Sequence, residues 1–149
     1  MILFRVISGS RLYGTARPDS DRDFIEVHDR LPGHRQIAQT IVGDVDLLRL
    51  GLSRFLFLCE EGAPQALEAM FAPDEYTEID VLRSYRHAYR ANVRAAEDTF
   101  ASAIRQFEAS AQPKTRAHAR RLADNLEQLR RTRRFDPIWR AARAAGSDR

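Results

Sequence analysis

The sequence predicts an α+β fold, with a small mixed β-sheet in the first half of the chain and helices after it. Three observations carry this. Residues 2–8 (ILFRVIS) form a nearly continuous apolar run of strand length that stops at Gly9. Residues 21–50 keep strand-like patterns interrupted by Pro32-Gly33 and Gly43-Asp44, both turn formers. From Ser53 onward the apolar residues recur every three or four positions, the helical period. No internal repeat is visible. A chain of 149 residues has the length of one compact domain. Residues 1–78 are expected to form the core that carries the sheet, and residues 79–149 a basic helical region packed on it.

Each element can be justified in turn. The first strand begins almost at the first residue. The segment Gly9-Ser10-Arg11-Leu12-Tyr13-Gly14 is bracketed by glycines and too short for a full helix, and Arg17-Pro18-Asp19-Ser20 carries turn chemistry. A tight helical turn and a loop are expected there. Residues 21–27 (DRDFIEV) resume a strand, and residues 36–42 and 45–50 flank Gly43-Asp44 as a hairpin. Ser53 is placed to cap a helix through Cys59, Gly62 to end it, and Pro64 to open another that runs to Met70. Beyond Pro73, Leu82, Tyr85, Tyr89, Val93, Ala96, Phe100, Ile104 and Phe107 form one apolar stripe, with Tyr85 and Tyr89 expected in the core. Gln112-Pro113 breaks the stripe. His118, Leu122, Asn125 or Leu126, and Leu129 then mark a helix to about Thr132, and Asp136-Pro137 reads as the cap and first position of a last short helix.

Composition sets bounds on function. With 44% apolar and 30% charged residues, an extended disordered chain or a low-complexity fibre is excluded. No apolar run approaches the roughly 18 to 20 residues of a membrane helix, and residues 2–7 lack a signal peptide's length and cleavage pattern. A soluble cytoplasmic protein with no membrane contact is therefore expected. The single cysteine, Cys59, has no partner for a disulfide or a zinc site and reads as a buried apolar residue in a reducing compartment. The net charge of +3 conceals two unlike halves. Residues 1–83 carry 9 basic and 14 acidic side chains, a balance of −5, and residues 84–149 carry 15 and 7, a balance of +8.

The acidic half holds the chemistry-bearing residues. Gly9-Ser10 directly follows a buried strand, where a glycine permits close backbone approach and a hydroxyl with free N–H groups could hold a phosphate; the same pair is also an ordinary turn. In Asp21-Arg22-Asp23 the alternation of a strand sends both carboxylates to one face and Arg22 and Phe24 to the other. Two same-side carboxylates repel, and a divalent cation with oxygen preference resolves the repulsion; a solvated turn is the plainer reading. Asp46, between Val45 and Leu47, is an acid in an apolar strand and needs a partner or a metal. Asp44 beside Gly43 fits a turn instead.

Gly9-Ser10, a ten-residue spacer, Asp21-x-Asp23 and a later hydrophobic-Asp-hydrophobic triplet at Asp46 resemble the signature of polymerase-beta-type nucleotidyltransferases. The fuller string GSRLYGTARPDSDRDF is most similar to the RNA-ligase-associated (RlaP-like) branch of that superfamily. DLLRLGLSRF from Asp46 to Phe55 resembles that branch's third-carboxylate strand and following helix. Gly62-Ala63-Pro64 with Glu68 is similar to its Gly-Asn-Pro…Glu segment, with Ala63 in place of the usual Asn. Lys114, His118 and Arg121 sit where the branch carries a Lys…His…Arg helix.

The resemblance implies a sheet of the nucleotidyltransferase type and Mg²⁺-dependent transfer of a nucleoside monophosphate from a nucleoside triphosphate to an acceptor hydroxyl. It assigns nucleotide binding to Gly9, Ser10 and Ser20, both metal ions to Asp21 and Asp23, and completion of the acceptor-side metal to Asp46. Two Mg²⁺ ions are expected, with Mn²⁺ as a substitute. Lys114, His118 and Arg121 are candidates for acceptor or phosphate contacts. Many relatives have a helix before the first strand, and its lack here implies either a trimmed core or a partner that completes the fold.

The basic half includes Arg116, Arg120, Arg121, Arg130, Arg131, Arg133 and Arg134. These read either as a solvated face paired with Asp124, Glu127 and the acidic half, or as a track for a polynucleotide backbone or a lid over the triphosphate. The expected acceptor is accordingly a nucleic-acid end, RNA or tRNA-like. The alternatives are a protein side chain or small molecule as acceptor, and a nucleotide- or nucleic-acid-binding module without turnover. His118 on its apolar stripe also reads as a helix-interface histidine, and His28, His34 and His87 have no metal-ligand spacing.

Overall fold

The structure is a computed structural model that describes residues 1–12 and 22–138, with only the backbone of Ser10 and Arg11. Five strands form one mixed sheet in the order β3-β4-β2-β1-β5. Strand β1 (Ile2–Ser8) runs antiparallel to β2 (Arg22–His28) on one side and to β5 (Thr77–Asp80) on the other. β3 (Ile37–Val42) and β4 (Val45–Gly51) form the expected hairpin, with Gly43 at φ +59 in the turn. β2 and β4 pair in parallel, and the crossover between them runs through the 3₁₀ turn Pro32–His34 and the edge strand β3.

Because side chains alternate along strands, Phe4, Val6, Ile25, Val27 and Leu50 share one face and are buried there. That face is covered by α2 (Leu52–Glu60), α3 (Pro64–Met70), α5 (Val93–Glu108) and α6 (Pro113–Thr132), whose Phe55, Leu67, Met70, Phe100, Leu122 and Leu129 complete the core. Phe4 meets Phe55 edge to face at 5.3 Å. Cys59 is buried in this core as the sequence suggests, and burial pushes its thiol pKa up. The other face carries an ionic cluster. Glu26 is enclosed, and Arg5 donates to it through Nε at 2.6 Å and through Nη2, while His28 Nε2 lies 2.9 Å from its other oxygen. Burial works against ionisation of Glu26, but the hydrogen bonds from His28 and Arg5 outweigh it and hold the carboxyl below its ordinary range.

Four expectations change. The stripe beyond Pro73 is two helices, because α4 (Arg83–Ala88) stops before residues 89–92 and Asn92 starts α5 by accepting a hydrogen bond from Ala95 N at 3.2 Å. Tyr89 is buried, but the break turns Tyr85 to the surface. Ser53 lies inside α2, which is preceded by Gly51 without a side-chain cap. β5, a strand absent from the sequence reading, follows the turn Asp74–Tyr76 and joins the sheet edge. Asp136 Oδ1 accepts from Ile138 N at 3.0 Å, as a helix cap would, but the helix expected after it lies outside the described residues. No described helix is long and apolar enough to cross a membrane.

The elements are tied together by Arg86 of α4, only 1% exposed. Its Nη1 donates to the carbonyls of Met70 (3.0 Å) and Ala72 (2.9 Å), its Nη2 and Nε to Asp80 Oδ2 (2.8 and 3.1 Å), and the guanidinium lies 5.5 Å from the centre of the Phe4 ring. Replacing one member of such a pair leaves Asp80, 10% exposed, without its counter-ion. Arg86→Leu is expected to cost about 3 kcal/mol or more of unfolding free energy in urea titrations; a loss below about 1 kcal/mol, the scale of a surface pair, would show that the guanidinium is not the tie it looks to be.

Candidate functional site

The site is built where β1, β2 and β4 end together. Ser8 is the register partner of Asp23, and Asp23 is the partner of Asp46 on the parallel neighbour. Partners on adjacent parallel strands lie about 4.8 Å apart with their side chains on the same face. Asp23 and Asp46 are therefore two carboxylates side by side at one level of the sheet. At Gly9 the chain leaves β1 with φ +64 and enters the short turn α1 (Gly9–Leu12). A Cβ at Gly9 would fall well inside contact distance of Asp23 Oδ2 and 3.2 Å from its Cγ. Only glycine fits both the backbone angle and the carboxylate.

Asp46 has a partner in Gln39 of β3, whose Nε2 lies 2.9 and 3.1 Å from its two oxygens. The register explains the contact, because Asp46 faces Ile41 and Gln39 lies two residues along the same face. The apolar-strand acid is thus hydrogen-bonded on one side and open on the other.

Above these residues is a cavity of about 520 Å³. Gly9, Asp23 and Asp46 line its floor, Glu68 of α3 one wall, and Phe107 of α5 and His118 of α6 the wall opposite the sheet. His118 packs edge-on against Phe107, ring centres 4.7 Å apart, and its Nδ1 accepts from Arg121 Nη2 at 2.5 Å. That contact requires Nδ1 without a proton, so the neutral ring carries its proton on Nε2. Burial first, and the Arg121 charge second, hold the imidazole pKa down to about 4.

Gly9, Asp23, Asp46 and His118 are brought to one cavity, and Arg121 reaches it through His118. Lys114 is exposed in the first turn of α6, one turn before His118. Asp21 and Ser20 lie outside the described residues, as does the side chain of Ser10. Glu68 was marked by resemblance but not as a site residue, and the structure makes it a buried acid of the cavity wall. Gln39 and Phe107 were missed. Phe107 carried the signal of an apolar stripe, whereas nothing in the string QIAQTIV points Gln39 to Asp46. Among the described residues no three His, Cys, Asp or Glu side chains gather closely enough to hold a metal ion. The two adjacent carboxylates nevertheless form an all-oxygen donor pair of the kind that Mg²⁺ takes.

Of the basic residues, Arg130 pairs with Glu97 (2.6 and 2.8 Å) and Arg131 with Glu127 (3.2 Å). Arg133 Nε donates to the Ala91 carbonyl, and Arg134 Nη1 donates to the carbonyls of Arg86, His87 and Tyr89 while lying 4.8 Å from the centre of the Phe71 ring. His28 and His87 are held by Glu26 and Asp74.

A mixed sheet that brings acids of neighbouring strands to a glycine turn, beneath a helical cover, defines a nucleotidyltransferase-type α+β domain. Within that class the chain belongs to the RNA repair pathway DNA polymerase beta family (RlaP), whose family model matches residues 1–127. The family is one of polymerase-beta-like nucleotidyltransferases, and a general nucleotidyltransferase role comes with membership. No curated protein and no solved structure matches the chain.

Two outcomes follow from the geometry. Gly9→Ala is expected to lower stability by about 1–3 kcal/mol, the scale of a residue forced into a disfavoured backbone region, and to displace Asp23; an unchanged urea midpoint would contradict the close approach. The His118 ring should titrate near pH 4 by NMR. Because its folded pKa lies below the unfolded value, its contribution to stability is present above pH 6.5 and is lost as the pH falls toward 4. A midpoint at or above 6.5 would contradict the buried neutral ring.

Proposed function

We propose that this chain is a divalent-metal-dependent nucleotidyltransferase that moves a nucleoside monophosphate from a nucleoside triphosphate onto a hydroxyl at an RNA end. The observation that carries the reading is the register of β2 on β4, which sets Asp23 beside Asp46 against the Gly9 backbone inside a cavity large enough for a nucleotide. Asp23 and Asp46, with Asp21 completing the set, would hold Mg²⁺, two ions in the full site, with Mn²⁺ as a substitute. When bound, the metal lowers the pKa of the acceptor hydroxyl and offsets charge on the departing pyrophosphate.

The chain's own residues do the positioning. Gly9, having no side chain, lets a phosphate approach the backbone beside Asp23, and Ser10 and Ser20 would add hydroxyl donors. Gln39 keeps Asp46 from turning away. His118, neutral, offers an Nε2 proton to a nucleotide or acceptor oxygen in the cavity. Holding the acceptor oxygen in line with the α-phosphorus is the main task, since the transfer itself asks for orientation and charge stabilisation. The acceptor oxygen gains the bond to the α-phosphorus, its proton passes to solvent, and the bond to the bridging oxygen of pyrophosphate breaks.

An RNA end is favoured by Lys114, Arg116 and Arg120, all exposed on the half of α6 that also carries His118. One observation favours a protein or small-molecule acceptor instead: Arg130, Arg131, Arg133 and Arg134 are engaged within the chain, which shortens the basic track.

Asp23→Asn and Asp46→Asn are each expected to lower Mg²⁺-dependent pyrophosphate release by at least about 100-fold, the scale of a single contact made at the transition state, with circular dichroism unchanged. Turnover near the parent rate in either variant would refute the assignment. Affinity for single-stranded RNA should fall steeply between low and high salt; a flat dependence would move the acceptor to the second reading.

A further inference from the structure

β3 is an edge strand with an unusual surface. Its six residues, IAQTIV, carry no charge and no proline, pair with β4 without a bulge, and leave Ile37, Ile41 and Val42 44%, 68% and 69% exposed. Natural edge strands usually blunt themselves with charge, proline or a bulge. The direction of its unused hydrogen bonds can be read from the ladder. Gly51 N donates to Gln36 O at 3.0 Å, which makes residues 36 and 51 a hydrogen-bonded pair. Such pairs alternate, so Ala38, Thr40 and Val42 also turn their backbone groups toward β4. The N–H and C=O groups of Ile37, Gln39 and Ile41 therefore point outward.

We propose that β3 is the contact of a symmetric dimer in which two copies of this chain pair their β3 strands antiparallel about a two-fold axis at Gln39, joining the sheets. In that register Gln39 faces Gln39 of the second copy and Ile37 faces Ile41, so the residues with outward backbone groups meet each other as hydrogen-bonded pairs. Ala38 faces Thr40 between them. Ile37 and Ile41, left open in one copy, cover each other in the pair. Self-complementarity favours a second copy over an unrelated strand: the residues with outward backbone groups read Ile-Gln-Ile about Gln39, so the two-fold axis sets Ile37 on Ile41 at both ends. One strand pair buries less than the roughly 1,200 Å² of a standard stable interface, so the dimer is reversible. The axis passes through the residue whose side chain holds Asp46, which places both cavities on the same face of the joined sheet.

The test is sedimentation velocity of the full chain from micromolar to millimolar concentration, alone and as two variants. The expected result is a concentration-dependent monomer–dimer equilibrium that Ile41→Lys weakens at least about tenfold, the effect of about 1.4 kcal/mol, with an unchanged unfolding midpoint in dilute solution. The double variant Ala38→Cys, Thr40→Cys should give a reducible covalent dimer on oxidation. Those two positions would form a non-hydrogen-bonded pair with Cα atoms about 4.5 Å apart, within disulfide reach, and the native Cys59 is buried. A monomer across the whole range, a dimer that keeps its affinity in Ile41→Lys, or a cysteine pair that does not lock would each overturn the proposal.

Discussion

The parallel pairing of β2 with β4 is the constraint on which the rest of the structure depends. A parallel neighbour cannot be reached by a tight turn, so the chain must travel out and back, and it does so by building β3 on the far side of β4. The pairing fixes Asp23 at the level of Asp46, and the antiparallel pairing of β1 with β2 fixes Ser8, and hence the exit at Gly9, at that same level. A slip of one residue in β2 would turn Asp23 to the opposite face and bury Phe24 or Glu26 in place of Ile25. The buried set Phe4, Val6, Ile25, Val27 and Leu50 makes such a slip costly, so core packing is what holds the two acids together. Apolar burial at one end of the strands sustains like-charge proximity at the other.

The helical cover is fixed by different means. α4 makes little apolar contact of its own, and its hold on the sheet is the Arg86 guanidinium, which satisfies two carbonyls at the end of α3 and one carboxylate of β5. Arg134 repeats the device at the other end, capping the carbonyls where α4 stops. Orphan carbonyls at a helix end need donors, and two arginines supply them, Arg86 in a buried site and Arg134 in a half-buried one. α5 and α6 can then lie across the sheet end with Phe107 and His118 facing the acids.

What the sequence revealed follows from how local each signal was. Residues 2–8, the Gly43-Asp44 turn, Pro64 and Pro113 carry their information within a few positions, and each begins or ends an element where expected. β5 does not: TEID has one apolar residue and becomes a strand only because the edge of β1 is there to pair with. The interruption at residues 89–92 was hidden because the apolar period continues across it; the cap at Asn92 was the available signal. At the site, Asp46 was legible as an acid that an apolar strand should not contain without a partner. Its neighbour Gln39 was not, because a cross-strand contact depends on register. Glu68 sits in a helix whose middle is buried on nearly every side, and it borders the same cavity as Asp46.

The charge asymmetry takes on another meaning in three dimensions. Part of the contrast between the −5 and +8 segments is internal cement: Arg86 on Asp74 and Asp80 joins the basic segment to the acidic one directly. Arg130 and Arg131 are matched within the helical region by Glu97 and Glu127. An exposed pair of that kind contributes little to stability, but it removes a cation from the surface available to a phosphate backbone. Subtracting these, the acids that keep a claim on chemistry are those at the strand ends and on α3, and the cations that keep one are on the first half of α6. The acids border the cavity, and the half of α6 that carries those cations lines it with His118 and Leu122. Sequence segregation of charge, which by itself suggested one half for catalysis and the other for capture, thus narrows to the acids of one cavity of about 520 Å³ and to the exposed cations of the helix half that lines it with His118.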